Sequence, residues 1–116
     1  MGLTCLPHRL TSVPDSLFTT VLWLDTLDLS HNALKSLPAS IGQLWKLRFL
    51  HLQHNKLESL PSQLVRCSYL QLLHASHNQL QELPGCWNSN MRCLTALILD
   101  NNRSICLGHV PSCNAC

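Results

Sequence analysis

Apolar residues return along this chain in one frame. Leu24, Leu27, Leu29, Leu34 and Leu37 are followed by Leu47, Leu50, Leu52, Leu57 and Leu60, and these by Leu70, Leu73, Ala75, Leu80 and Leu83. Each copy holds an asparagine, Asn32, Asn55 or Asn78, at a strict 23-residue interval, and closes on a proline, Pro38, Pro61 or Pro84. Two apolar positions separated by one polar position predict a short strand, with the leucines facing inward and the residues between them facing the other way. One such coil cannot bury its leucines alone, so the copies must stack, strand beside parallel strand. The proline presets its own backbone angle and suits the first position of a helical turn. Pro38-Ala39-Ser40-Ile41, Pro61-Ser62-Gln63-Leu64 and Pro14-Asp15-Ser16-Leu17 therefore predict short helical or 3₁₀ return segments.

Weaker copies flank the three regular ones. With a one-residue offset, Leu3, Cys5, His8, Leu10, Val13 and Pro14 fill the slots of Leu27, Leu29, Asn32, Leu34, Leu37 and Pro38, so that His8 replaces the asparagine. Downstream, Leu94, Leu97, Leu99 and Asn102 reopen the frame, but Ser104 stands where a leucine is due and Gly108 where a proline is due. The expected organisation is a repeat domain over 1–107, with regular repeats at about 24–46, 47–69 and 70–93, degenerate ones at 3–23 and 94–107, and a cysteine-containing tail at 108–116. Asn32, Asn55, Asn78 and Asn102 are expected to form a structural ladder. A side-chain amide carries both donors and an acceptor, so it can satisfy backbone groups where the chain turns away from its strand, each worth about 1–3 kcal/mol if left unpaired.

The full frame, L-x-x-L-x-(L/A)-x-x-N-x-L-x-x-L-P, resembles the leucine-rich repeat family, whose period runs from about 20 to 29 residues. The resemblance implies an α/β leucine-rich repeat solenoid, with short parallel strands on the concave face and helical, 3₁₀ or irregular return segments on the convex face. The 23-residue period with L-P-x-x-(I/L) is similar to that of an intracellular group that includes the Ras-suppressor protein, scribble and erbin. This implies a protein-protein interaction module, a cytoplasmic adaptor or regulator in signalling that holds a protein on its concave sheet. Such relatives carry more coils, which leaves a short relative, an isoform or a piece of a longer protein as readings of this chain.

Composition narrows the classes. Hydrophobic residues make up 46% of the chain and charged ones 12%, with a formal net charge of +2 and no basic run, which argues against a nucleic-acid surface. The opening Met1-Gly2-Leu3-Thr4-Cys5 lacks the charged and apolar regions of a signal peptide, so reduced thiols in the cytoplasm are the expectation for the seven cysteines. Cys5 and Cys67 fall in apolar slots, while Cys86, Cys93, Cys106, Cys113 and Cys116 crowd the end. Two sharper readings of that end stay open beside unpaired thiols. Cys106, His109, Cys113 and Cys116 have spacings a zinc ion could use, and Cys113-Asn114-Ala115-Cys116 places a cysteine where a prenylation box has one. The expectation is no cofactor and no metal, and no membrane association unless the chain is lipidated. Asn102-Arg103-Ser104 matches a glycosylation sequon, but Asn102 sits in the ladder slot.

The residues beside the inward leucines give the candidate binding surface: Asp28, Phe49, His51, Gln53, Leu72, His74, Ser76, Ile98 and Asp100, together with Thr26, Ser30 and Ala96. Phe49, Leu72 and Ile98 read as an apolar diagonal with Phe49 as an anchor, or Phe49 and Leu72 simply pack as strand neighbours. Five of the seven histidines are expected on strands, His51 and His74 facing outward and His31, His54 and His77 just before the ladder asparagines, as columns across the coils. Trp45 is expected to pack on the convex face, and Trp23 and Trp87 to cover the ends of the core. No catalytic constellation is visible: Asp25, Asp28, Glu58, Glu82 and Asp100 occupy different slots, and there is no phosphate loop or nucleophile elbow, so an enzyme is not expected.

Overall fold

The structure, a computed structural model, describes residues 2–4, 9–85 and 87–103. Five strands run in chain order, β1 (Gly2–Thr4), β2 (Thr26–Asp28), β3 (Phe49–His51), β4 (Leu72–His74) and β5 (Ala96–Ile98), each paired in parallel with the next. Leu3, Leu27, Leu50, Leu73 and Leu97 stand side by side in register. One repeat of sequence is thus one strand spacing of about 4.8 Å.

Parallel neighbours need a crossover, and the return segments supply it. They are a single-turn helix α1 (Leu17–Thr20), 3₁₀ turns at Ala39–Gln43 and Ser62–Arg66, and a second single-turn helix α2 (Trp87–Asn90). Pro38 and Pro61 precede the 3₁₀ turns with extended backbone, and their carbonyls accept the N–H of Ile41 and Leu64 at 3.2 and 3.0 Å. Proline there costs nothing, because the first amides of a helical turn have no partner within it.

Between the sheet and this outer layer lies the core. Leu24, Leu27, Leu29 and Leu34, their counterparts Leu47, Leu50, Leu52 and Leu57, and then Leu70, Leu73, Ala75 and Leu80 are all fully buried. From the return segments, Phe18, Ile41, Leu64 and Cys67 close the same core. The Cys67 thiol donates to the carbonyl of Ile41 at 3.3 Å, and burial pushes it up to about 12, so it packs as an unreactive apolar group. Cys5, His8 and the zinc or prenylation readings of residues 106–116 lie outside the described residues.

The asparagines bind coil to coil. Asn55 Oδ1 accepts the N–H of Leu34, Asn78 Oδ1 that of Leu57 and Asn102 Oδ1 that of Leu80, at 3.1, 3.1 and 3.0 Å, each time from the preceding coil. Asn32 accepts the N–H of Leu10 in the same way. The Asn55 amide donates to Leu52 O in its own coil and to Leu29 O in the coil before, both at 3.0 Å. Leu29 O also accepts from Asn32, and Leu52 O also accepts from Asn78, so the ladder is a continuous zipper.

Three placements differ from expectation. Trp87 is buried within α2, but Trp23 and Trp45 are exposed on the turns that lead into β2 and β3, because the two turn residues between a return segment and the next inward leucine, Leu22-Trp23 and Trp45-Lys46, project from the coil into solvent. His31, His54 and His77 do not lie on strands. They follow the strands in turns, with positive φ of 59°, 60° and 57°, and that left-handed step is what lets the next residue, the asparagine, fold back inward.

Candidate functional site: the concave sheet face

Register sorts the outward strand residues into two rows. Thr26, Phe49, Leu72 and Ala96 form one, and Asp28, His51, His74 and Ile98 form the next. All are half-buried by their neighbours and open on one side to solvent. Phe49 and Leu72 are direct register partners, whereas Ile98 lies in the second row beside His74, one step diagonal to Leu72. The Arg48 guanidinium sits 5.5 Å from the Phe49 ring centroid and flanks the apolar row with charge.

A third row follows the strands, and it is not the free polar rim that alternation suggested. Ser76 is only 5% exposed, and its hydroxyl shares a 2.7 Å hydrogen bond with His74 Nε2. Ser30 is likewise buried and donates through both N–H and hydroxyl to Asp28 Oδ1, at 2.9 and 2.6 Å. These serines orient the residues beside them; their small side chains sink where the chain bends inward. Gln53 is half-buried, with Oε1 lacking a hydrogen-bond partner among the described residues, and Asp100 is exposed. Partial burial pushes the Asp28 carboxyl up, but the Ser30 hydroxyl and amide and the nearby His51 and His31 outweigh it, and the group rests below its ordinary value.

Along the rim where the strands end, the three turn histidines stack. His31 and His54 are 4.5 Å apart between ring centroids and 12° from parallel, and His54 and His77 are 4.3 Å and 8°. Asn101 continues the column with its Nδ2 3.2 Å from His77 Nε2. On the strands, His51 and His74 meet edge to face at 6.4 Å. Desolvation lowers His54, and His77, His31 and His74 add like-charge repulsion. His74 is lowered by desolvation and by His51 against the opposing pull of Asp100.

Because the fold lowers His54 and His74, it keeps its full stability above their unfolded value of about 6.5 and loses stability as the pH falls below it toward the lower folded values. We expect a lower unfolding midpoint at pH 5 than at pH 7.5. Replacing His31, His54 and His77 together by asparagine, which also tolerates positive φ, should flatten that dependence. An unchanged pH profile in the triple variant would remove the column as its cause.

Sequence reasoning overlooked a second cluster, on the turns before the strands. Trp45 and Tyr69 are edge-to-face at 6.5 Å, and with Asp25, Lys46 and Arg48 they line an open cleft of about 300 Å³. The signal was present in the period: Leu22 and Trp45 share one repeat slot, and Trp23 and Tyr69 share the next.

A five-strand parallel ladder with buried asparagines and 3₁₀ returns defines a leucine-rich repeat solenoid, a fold used for protein-protein interaction. The Leucine rich repeat family matches residues 8–57. A leucine-rich repeat protein of Leptospira interrogans superimposes with a TM-score of 0.80 at 31% identity, over 87% of this chain and 25% of that one. PEPR1, in its complex with AtPEP1, does so with 0.70 at 35% identity, over 79% and 13%. The plant peptide hormone receptor RGFR1, in complex with RGF2, gives 0.70 at 33%, over 81% and 15%. No curated protein matches the sequence significantly. The chain has the leucine-rich repeat solenoid fold and spans about a quarter or less of the length of these structural relatives. Among the described residues no helix is long and apolar enough to cross a membrane.

Proposed function

We propose that the chain is a protein-binding module, not an enzyme, and that it holds an extended segment of a partner across its concave sheet. The observation that carries this reading is the continuous apolar row Phe49, Leu72 and Ala96, open to solvent and running beside His51 and His74. Apolar residues aligned across rigid strands bury area at little entropic cost, and a large aromatic among them is a common anchor. Asp28 and Asp100 at opposite ends of the face, with His51 and His74 between, supply polar contacts that fix orientation. Two of the similar structures are complexes, one of them of a peptide hormone receptor, which supports a peptide segment as the occupant.

The L-P-x-x-(I/L) spacing and 23-residue period support a place beside the intracellular scaffolds and regulators of signalling, and the free thiols of Cys67 and Cys93 suit a reducing compartment such as the cytoplasm. Affinity purification tests the surface. The wild-type chain is expected to retain a protein partner that the double variant Phe49→Ala, His51→Ala loses, with unchanged circular dichroism. Equal recovery by both chains would move the binding site elsewhere.

A further inference from the structure

All four of the large hydrophobic side chains that stand exposed among the described residues lie on one edge of the solenoid. Leu22 is 39% exposed, Trp23 50%, Trp45 53% and Tyr69 55%, and each occupies a turn immediately before a strand. Such turns project from a stacked sheet in a straight row, because every coil repeats the same geometry at the same spacing. The backbone holds the row level: Arg48 N–H donates to Asp25 O, Gln71 N–H to Arg48 O and Thr95 N–H to Gln71 O, at 2.8, 2.7 and 2.8 Å.

Charge on this edge has one sign in excess. The turn segments 22–25, 45–48, 68–71 and 92–95 carry three cations, Lys46, Arg48 and Arg92, against one carboxylate, Asp25. Asp25 meets Arg48 at 3.5 Å, an exposed pair that exchanges readily with other partners. Lys46 makes no salt bridge among the described residues and lies 5.1 Å over the Trp45 ring. Tryptophan and tyrosine beside lysine and arginine, exposed together on one level edge, have the composition of a surface that sits in the headgroup layer of a bilayer. There the rings take up the apolar boundary and the cations meet phosphate.

We propose that this edge is a peripheral docking surface for an anionic lipid membrane, with Trp23, Trp45 and Tyr69 entering the interface and Lys46 and Arg48 meeting lipid phosphates at the cleft between Trp45 and Tyr69. The edge lies beside the concave face, so a bound protein and a bilayer can be held at once. The interaction is reversible, since a few interfacial side chains do not match the burial of a spanning helix.

Flotation with vesicles of phosphatidylcholine containing about a third phosphatidylserine tests it, at low salt where surface attraction is least screened. The full chain is expected to float with these vesicles, to float several-fold less with phosphatidylcholine alone, to dissociate as salt is raised, and to show a blue-shifted tryptophan emission when bound. Trp45→Ser and Lys46→Glu should each reduce flotation several-fold at unchanged circular dichroism, while Phe49→Ala, His51→Ala should float as the wild type does. Absence of flotation, or equal flotation of all variants, overturns the proposal. Tryptophan quenching by an acidic peptide such as a glutamate-tyrosine copolymer, without vesicle binding, overturns it in favour of a protein ligand. Failure of the concave-face variants to lose their partner leaves this result unaffected.

Discussion

Replacing Asn55 by alanine is expected to cost about 2–4 kcal/mol of stability, among the largest losses from any single polar side chain here. Its amide is buried in the middle of the stack and contacts two coils at once. The carbonyls of Leu29 and Leu52 each keep a second asparagine donor, from Asn32 and Asn78, so they are not orphaned. The N–H of Leu34 has only Asn55 Oδ1 as acceptor, and a buried amide without a partner incurs its full desolvation cost. Asn55→Asp should be no rescue: it restores an acceptor but loses both donors to the carbonyls and buries a charge beside them. Urea titration checks both variants. Because each coil contacts only its neighbours, the transition should also broaden as the first two strands uncouple from the last three. A loss under about 0.5 kcal/mol, the range of an ordinary surface change, would show that the ladder is not a principal fastening.

Gly42→Ala is the second large effect, expected to destabilise by about 1–3 kcal/mol although alanine ordinarily favours helical turns. A Cβ built at Gly42 would lie 2.5 Å from the backbone oxygen of Gln63 and 3.0 Å from its Cβ, on the 3₁₀ turn of the next coil. Backbone cannot step aside as a side chain can, so the two return segments would have to separate and open the layer that Ile41 and Leu64 close. Gly85 provides the internal control. Nothing lies within 4 Å of a Cβ there, so Gly85→Ala should be neutral or slightly stabilising through the unfolded chain. For a chain of this size each kcal/mol moves the thermal midpoint by roughly 3–7 °C, which makes the opposite behaviour of the two glycines readable in one experiment. Equal midpoints would mean that the return segments are packed less closely than the structure has them.

How much of this was legible in the sequence differs by residue. The strands, their parallel order and the ladder asparagines could be read because each depends on a local pattern repeated at fixed spacing, and repetition turns a weak local preference into an architecture. The register of Leu27, Leu50 and Leu73 followed from the same period. The outward rows were legible as residues but not as surroundings: alternation put Ser30 and Ser76 outside, whereas the inward bend that seats the asparagine buries them. For the turn histidines the pattern marked a column, yet the ring stacking depends on a left-handed backbone step that no spacing rule specifies.

The aromatic edge is the clearest division. Trp23, Trp45 and Tyr69 fall in two adjacent repeat slots, yet Trp45 read as a convex-face residue, because hydrophobicity alone does not say which side of a turn faces water. By itself the sequence determined a stacked coil, its period and the asparagines that fasten it, since those follow from interactions each repeat makes identically. Only the tertiary structure decided what the repeats do not share: the space denied to a side chain at Gly42, the stacked imidazole column, and the gathering of aromatic and cationic turns on one edge. Those arise between neighbouring coils, where residues about 23 positions apart in the chain are brought within a strand spacing of each other.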